Sequence, residues 1–158
     1  MSNAVNRSKP FVRPSVSQDC SELAQTMREE DVKEIWHSSR GTPLSALRAG
    51  FAWPLCFTVE WQGRVVAMFG VGGTYGSLGF PWMLASDDLV KIKKSFIREC
   101  RRHVAEMQTF YPTLSNKVWA KNTAHIEWLK WLGFRFLEAK PHGPDGELFI
   151  QFVKEAHV

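Results

Sequence analysis

Tyrosine is scarce in this chain: two stand among 158 residues that carry seven tryptophans and eleven phenylalanines. An aromatic load of that kind fills a core and leaves one or two flat apolar surfaces suited to a partner. Cysteine is scarce too. Cys20, Cys56 and Cys100 are odd in number, far apart and without a Cys-x-x-Cys pair, which argues against a disulfide framework or a zinc site and for a reducing cytoplasm. No stretch of about eighteen apolar residues occurs, so no membrane span is expected. The polar, basic Met1–Lys9 lacks the apolar segment of a signal peptide. Like charges never run to about five in a row, and the net charge of +4 is dispersed, which leaves no specific nucleic-acid motif. His37, His103, His142 and His157 are scattered without metal-ligand spacing, so no metal site is expected.

With 44% apolar residues, a chain of this length is most simply one globular domain, burying roughly two thirds of the surface its unfolded form exposes. Residues 1–10 lack periodicity and read as a flexible lead to a single domain over 11–158. Phe11-Val12-Arg13 is a short strand. Ser17 caps a helix containing Leu23, Ala24 and Met27, which continues from Asp31 to Trp36 until Gly41-Thr42-Pro43 breaks it, and Leu44 to Phe51 is a third helical piece. Leu55 to Trp61 and Val65 to Val71 are β-rich runs joined at Gln62-Gly63-Arg64 as a hairpin. Gly70, Gly72, Gly73, Gly76 and Gly79 follow without the spacing of a phosphate loop and read as a turn between strands.

Phe80 to Ala85 is the next strand. Ser86-Asp87-Asp88 then caps a long helix, from about Asp87 to Gln108, whose Leu89, Ile92, Phe96, Cys100, Val104 and Met107 fall on one arc. Lys91, Lys94, Arg98, Arg101 and Arg102 lie opposite and read as a solvated face. Cys56 and Cys100 sit in apolar patterns, where a thiol is inert packing. Leu148 to Val153 is a terminal strand, reached through a long, polar, mobile loop from Lys140 to Gly146.

The segment Val118 to Phe134, VWAKNTAHIEWLKWLGF, is the densest in information. Val118-Trp119-Ala120 is β-prone, and Asn122-Thr123 offers an N-terminal cap. Ile126, Leu129, Trp131 and Leu132 give an apolar helix face stopped by Gly133, and Phe134, Phe136 and Leu137 start another strand. Together they read as one βαβ-like unit.

This order of elements resembles the GNAT N-acetyltransferase superfamily, an α/β (α+β) fold with a mixed, mostly antiparallel sheet flanked by helices. Asn122 with Gly133-Phe134 is similar to its Asn-x-x-Ala-x-x-Leu-Tyr-x-x-x-Gly-Phe segment in register. Phe11-Val12-Arg13-Pro14 with Asp19 and Leu23 is similar to its opening. The resemblance implies acetyl-CoA, with its pyrophosphate on glycine-flanked N–H groups at the start of the long helix, a tyrosine acid on the short helix, and a base. Here that turn is Ala85-Ser86-Asp87-Asp88-Leu89-Val90 and Leu129 stands at the tyrosine position. Two carboxylates at a helix start would repel phosphate. They are available as a base, yet cap the helix more simply.

His125, one turn after Asn122, sharpens the resemblance. The run Asn122 to Lys130 after Val118-Trp119 is similar to a tailed-phage, GNAT-like family that includes an internal virion or virion-assembly protein of T7-like phages. So are Met27 to Ile35, Val66 to Val71 and Phe80 to Leu84. That resemblance implies virion morphogenesis through contacts with phage virion proteins, in the virion or the host cytoplasm, without cofactor. Leu84, Ser86, Asn122 and His125 are then a candidate cofactor cleft kept as a vestige, and no catalytic residue is assigned. His125 itself reads as a partly buried histidine bonded to a neighbour. The alternative is an acetyl-CoA-dependent N-acyltransferase modifying a host protein or small amine. A host-directed inhibitor acting through the aromatic surface is a third.

Overall fold

A computed structural model describes residues 9–73 and 76–156. The expected flexible lead lies, up to residue 8, outside the described residues, as do Thr74, Tyr75 and His157. Chain order runs β1 (Phe11–Pro14), α1 (Ser17–Thr26), α2 (Glu29–Ser39), α3 (Pro43–Phe51), β2 (Leu55–Trp61), β3 (Arg64–Gly73) and β4 (Leu78–Ala85). A 3-10 turn (Asp87–Ile92) leads to α4 (Lys93–Phe110), β5 (Thr113–Trp119), α5 (Thr123–Trp131), β6 (Arg135–His142) and β7 (Glu147–Glu155). The seven strands form one sheet in the order β1-β2-β3-β4-β5-β7-β6. Every pairing is antiparallel except β4 with β5. The β2–β3 turn carries positive φ at both Gln62 (52°) and Gly63 (74°), the backbone that lets a tight hairpin follow strand twist.

Period-two alternation sorts the sheet's side chains between two cores. Ala67, Phe69 and Val71 of β3 and Met83 of β4 pack with Phe96, Cys100, Val104 and Met107 of α4 and with Trp128 and Leu129 of α5. On the other face Met68 and Leu84 meet Cys20 and Leu23 of α1, Leu47 of α3 and Ile35 of α2. Each large apolar side chain so buried stabilises by roughly 1.5–3 kcal/mol.

The glycine-rich passage is structural in a way spacing alone did not reveal. Gly70 and Gly72 belong to β3 and leave room on the second face for tryptophan rings. A Cβ at Gly72 would lie 2.5 Å from the Trp53 ring, and one at Gly70 only 2.3 Å from the Leu55 carbonyl oxygen and 3.2 Å from Trp82 Nε1.

Several boundaries differ from the sequence reading. Ser17 is the first helical residue of α1, not its cap, and Asp19 accepts from Val16 N–H instead. The expected continuous helix is broken at Met27-Arg28, which form a backbone bridge to the end of β4: Met27 pairs with Ser86, and Arg28 N donates to Ala85 O at 2.9 Å. The long helix begins as 3-10 structure because Ser86 Oγ takes the Asp88 N–H and Asp88 is drawn to Arg64 and Lys91. β5 starts at Thr113, five residues ahead of the β-prone run, since pairing with β7 overrides the weak propensity of Ser115-Asn116-Lys117. In α5 the buried tryptophan is Trp128, 4% exposed; Trp131 is 36% exposed, with the Lys93 ammonium 3.7 Å above its ring. The long loop shrinks to a turn at 143–146, because Lys140, Pro141 and His142 pair with Phe149, Leu148 and Glu147. The unit from Val118 to Phe134 is a crossover in which β7 separates β5 from β6.

One feature positions the site. β4 and β5 pair only at Leu78–Thr113 and Gly79–Leu114, and beyond that point the parallel strands splay apart.

Candidate functional site

The splay is bridged by one face of α2. Arg28, Asp31 and Glu34 recur every third residue, a spacing that aligns side chains on a helix and its cap. Asp31 is fully buried; its Oδ2 accepts from Ala85 N of β4 at 3.0 Å, and its Oδ1 from Asn122 Nδ2 at 2.9 Å. Glu34 Oε1 accepts from Trp119 N of β5 at 3.0 Å and from the same Asn122 Nδ2 at 3.2 Å. Two carboxylates of one helix thus hold a backbone donor of each splayed strand. Asn122 ties them together while its Oδ1 caps α5 by accepting from His125 N at 3.3 Å.

His125 lies inside this frame. It is buried, and it lines a cavity of about 280 Å³ between the strands, with Glu34, Trp82, Asn116 and Trp53 also in the wall. Its Nδ1 makes no hydrogen bond; the nearest carboxylate oxygen, Glu34 Oε2, stands 3.7 Å away. The hydrogen bond expected of a core histidine is not made at Nδ1. A Glu–His pair at this separation can exchange a proton after a small side-chain shift. Higher in the splay, Asn116 Nδ2 donates to Pro81 O at 2.9 Å, a side-chain link where strand pairing has ended.

The structure brings three of the four expected cleft residues to the splay. Asn122 is buried across it between Asp31 and Glu34, His125 lines the cavity from α5, and Leu84 reaches the cavity from β4 while packing in the second core. Ser86 does not join them: its N–H donates to Val66 O at 2.8 Å and its hydroxyl caps the 3-10 turn. Leu129 is buried in the first core. At the turn where a phosphate would sit, the Asp88 carboxylate is engaged by Arg64 Nη2 and Lys91 Nζ, both at 3.1 Å, and no glycine occurs from Phe80 to Leu132. Arg28, Asp31 and Glu34 escaped the sequence reading. Their three-residue spacing in a passage otherwise read as plain helix was the available signal.

The thiols stay outside this chemistry. Burial pushes the Cys56 thiol up to about 11 and raises that of Cys100 further still, so neither is a ready nucleophile. Among the described residues no group of three His, Cys, Asp or Glu side chains is placed to hold a metal ion, and no helix is long and apolar enough to cross a membrane.

Strand order, splay and helix placement define the class of fold. The chain is similar over 94% of its length to 95% of the ribosomal-protein-S18-alanine N-acetyltransferase from Escherichia coli, with a TM-score of 0.66 at 14% identity. It is similar over 94% to 99% of Ard1 from Thermoplasma volcanium (TM-score 0.65, 14% identity), and over 94% to the whole of a GNAT-family acetyltransferase from Streptococcus pneumoniae (TM-score 0.56, 11% identity). The fold is that of the GNAT acetyltransferases. No curated protein matches the chain in sequence. Residues 56–140, more than half of the chain, match the family described as "Bacteriophage T7, probable scaffold protein Gp13", and the chain belongs to that family.

Proposed function

We propose that this protein works in phage particle morphogenesis, through contacts with other virion proteins, on a GNAT-like fold in whose cleft its own carboxylates take backbone donors of both strands. The observation that carries the reading is the pair of carboxylates Asp31 and Glu34 on the Ala85 and Trp119 N–H groups. An acyl-CoA arm entering between β4 and β5 would need strand-edge donors of this kind, and here a negatively charged helix face holds them. The acidic turn at Asp87-Asp88 and the apolar Leu129 point the same way. Scaffold action, as the family's description has it, fits a protein that offers surface rather than chemistry, with Trp36, Trp53 and Phe80 among its exposed aromatics. Its place is then the virion or the host cytoplasm during assembly.

The test is deletion of the gene from its phage, followed by electron microscopy of particles and a plaque count. Aberrant or non-infectious particles are expected, and normal, infectious ones reject the reading. A second reading, an acetyl-CoA-dependent N-acyltransferase for a host protein or small amine, is favoured by one observation: His125, its Nδ1 without a hydrogen bond, beside Glu34 in a cavity of about 280 Å³. Calorimetric titration with acetyl-CoA separates the two, since tight binding supports the enzyme and silence removes it.

A further inference from the structure

A second cavity, about 210 Å³, lies between the 3-10 turn and the start of α5, with Arg28, Leu89, Val90, Thr123, Ala124 and Trp128 in its wall. The Arg28 side chain is only 5% exposed; its Nε stands 2.8 Å from Asp31 Oδ2 but without hydrogen-bond alignment, and neither Nε nor Nη2 has a hydrogen-bond partner. Asp31 is already committed to Ala85 N and Asn122 Nδ2. A buried guanidinium with unmet N–H groups is costly, and an oxyanion entering the cavity would relieve it. Thr123 and Ala124 open a nine-residue helix, so their N–H groups face no carbonyl of that helix and stand at its positive end. The Asn122 cap accepts from His125 N rather than from them.

The remaining charges at the rim are engaged. Lys93 lies on the Trp131 ring, and Glu127 pairs with Lys130 at 3.7 Å. Leu89, Val90 and Trp128 give the wall an apolar character. One guanidinium, a helix N-terminus and an apolar shaft match a single carboxylate on a short alkyl stem better than a multiply charged phosphate, which Glu127 in the same wall would repel more strongly.

We propose that this cavity receives a glutamate side chain of a protein partner, its methylenes against Leu89, Val90 and Trp128 and its carboxylate on Arg28. The proposal rests on the reading of this protein as one that acts through protein contacts. Its test is an amide NMR titration of the full chain with four probes: N-acetylglutamate methylamide, the neutral N-acetylglutamine methylamide, inorganic phosphate and N-acetylleucine. The glutamate probe is expected to give saturable shifts at Leu89, Thr123 and Ala124, with the glutamine probe roughly tenfold weaker, as a lost charge-assisted bond demands. Arg28→Gln abolishes binding. Val90→Trp, at a position 69% exposed, blocks the mouth without adding charge or touching the buried pair and covers the case in which Arg28→Gln does not fold.

Equal binding of the glutamine probe, no effect of Val90→Trp, or no shifts on the folded chain overturns the proposal. So does saturation of the same amides at lower concentration by phosphate or by the C-terminal carboxylate of N-acetylleucine. A gene deletion that leaves particles normal overturns the assembly reading alone, and silent probes on a folded chain overturn the pocket alone.

Discussion

Two arginine–aspartate pairs hold the first helices of this protein to its sheet, and they are built differently. Arg13 meets Asp19 through both terminal nitrogens, at 2.8 and 2.9 Å, and reaches Glu60 at 3.1 Å. Asp19 also accepts from Val16 N and from the Thr58 hydroxyl, both at 2.8 Å, and Thr58 continues through Ser15 to Cys56. Arg28 brings its Nε to 2.8 Å from Asp31 Oδ2 but out of alignment, because Asp31 spends its oxygens on a β4 backbone N–H and on Asn122. The first network is closed and fastens α1 to β1 and β2. The second trades closure for holding two diverging strands, and it leaves Arg28 and His125 with unmet hydrogen-bonding capacity. Unmet buried polar groups are where a ligand or partner can add energy, and of these two networks only the second leaves such groups.

The largest effect expected is at Asp31. Asp31→Ala leaves Arg28 buried without a counter-charge and strips an acceptor from Ala85 N–H and Asn122, so stability should fall by about 3–5 kcal/mol, read from urea unfolding. A loss below about 1 kcal/mol would mean the splay is not held by this residue. Asp19→Ala should cost less, about 2–3 kcal/mol, because Arg13 is partly open to water and can rehydrate.

The Asp19 pair also has a pH signature. Burial pushes the Asp19 carboxyl up, but Arg13, the Val16 N–H and the Thr58 hydroxyl together outweigh it and hold the group below the usual carboxylate range. A carboxyl depressed on folding contributes stability that is complete above its unfolded value of about 3.9 and is lost as pH falls through the folded value. Urea midpoints should therefore drop between about pH 5 and about pH 2, and Asp19→Asn should flatten that drop. An unchanged slope in the variant would contradict the assignment.

At His125 the expected sign reverses. Replacing this histidine by leucine removes a buried Nδ1 that makes no hydrogen bond, so His125→Leu should be neutral or stabilising within about 1 kcal/mol. A thermal melt lowered by many degrees would show that the histidine is satisfied after all. The smallest effect concerns the closed network's thiol. Cys56, held at about 11 by burial, should resist a disulfide reagent at pH 8 in the native protein, and all three cysteines should react on unfolding; fast native labelling of Cys56 would show that this end opens.

Much of the architecture was legible in local pattern. The β2–β3 hairpin followed from two β-rich runs around Gln62-Gly63, and the arc from Leu89 to Met107 is buried as expected. Asn122 caps α5 as its side chain and position suggested. What failed depended on partners distant in sequence. β5 is a strand from Thr113 because β7 supplies its hydrogen bonds. The Lys140 to Gly146 loop is half strand for the same reason, and its tip is pinned on α2, where Asp145 accepts from Arg40 and pairs with His37 Nδ1 at 3.0 Å. At that contact Gly143 has φ +79° and no room for a Cβ, which would fall 2.0 Å from His37 O.

The site divides along the same line. Asn122 and His125 were visible because they sit in a short, patterned helix start. Arg28, Asp31 and Glu34 were not, since a helix rich in acidic residues at its N-terminus is read as dipole compensation. By itself the sequence determined most of the element types, the apolar faces and the lack of glycine at the long helix's start and of tyrosine at position 129, because those are properties of residues within a few positions of one another. Only the tertiary structure decided that β4 and β5 part after two pairs and that α2 crosses the gap. That choice turns on where two diverging strand edges find donors and acceptors, and these come from residues 31 and 34, some fifty and eighty-five positions from the N–H groups they hold.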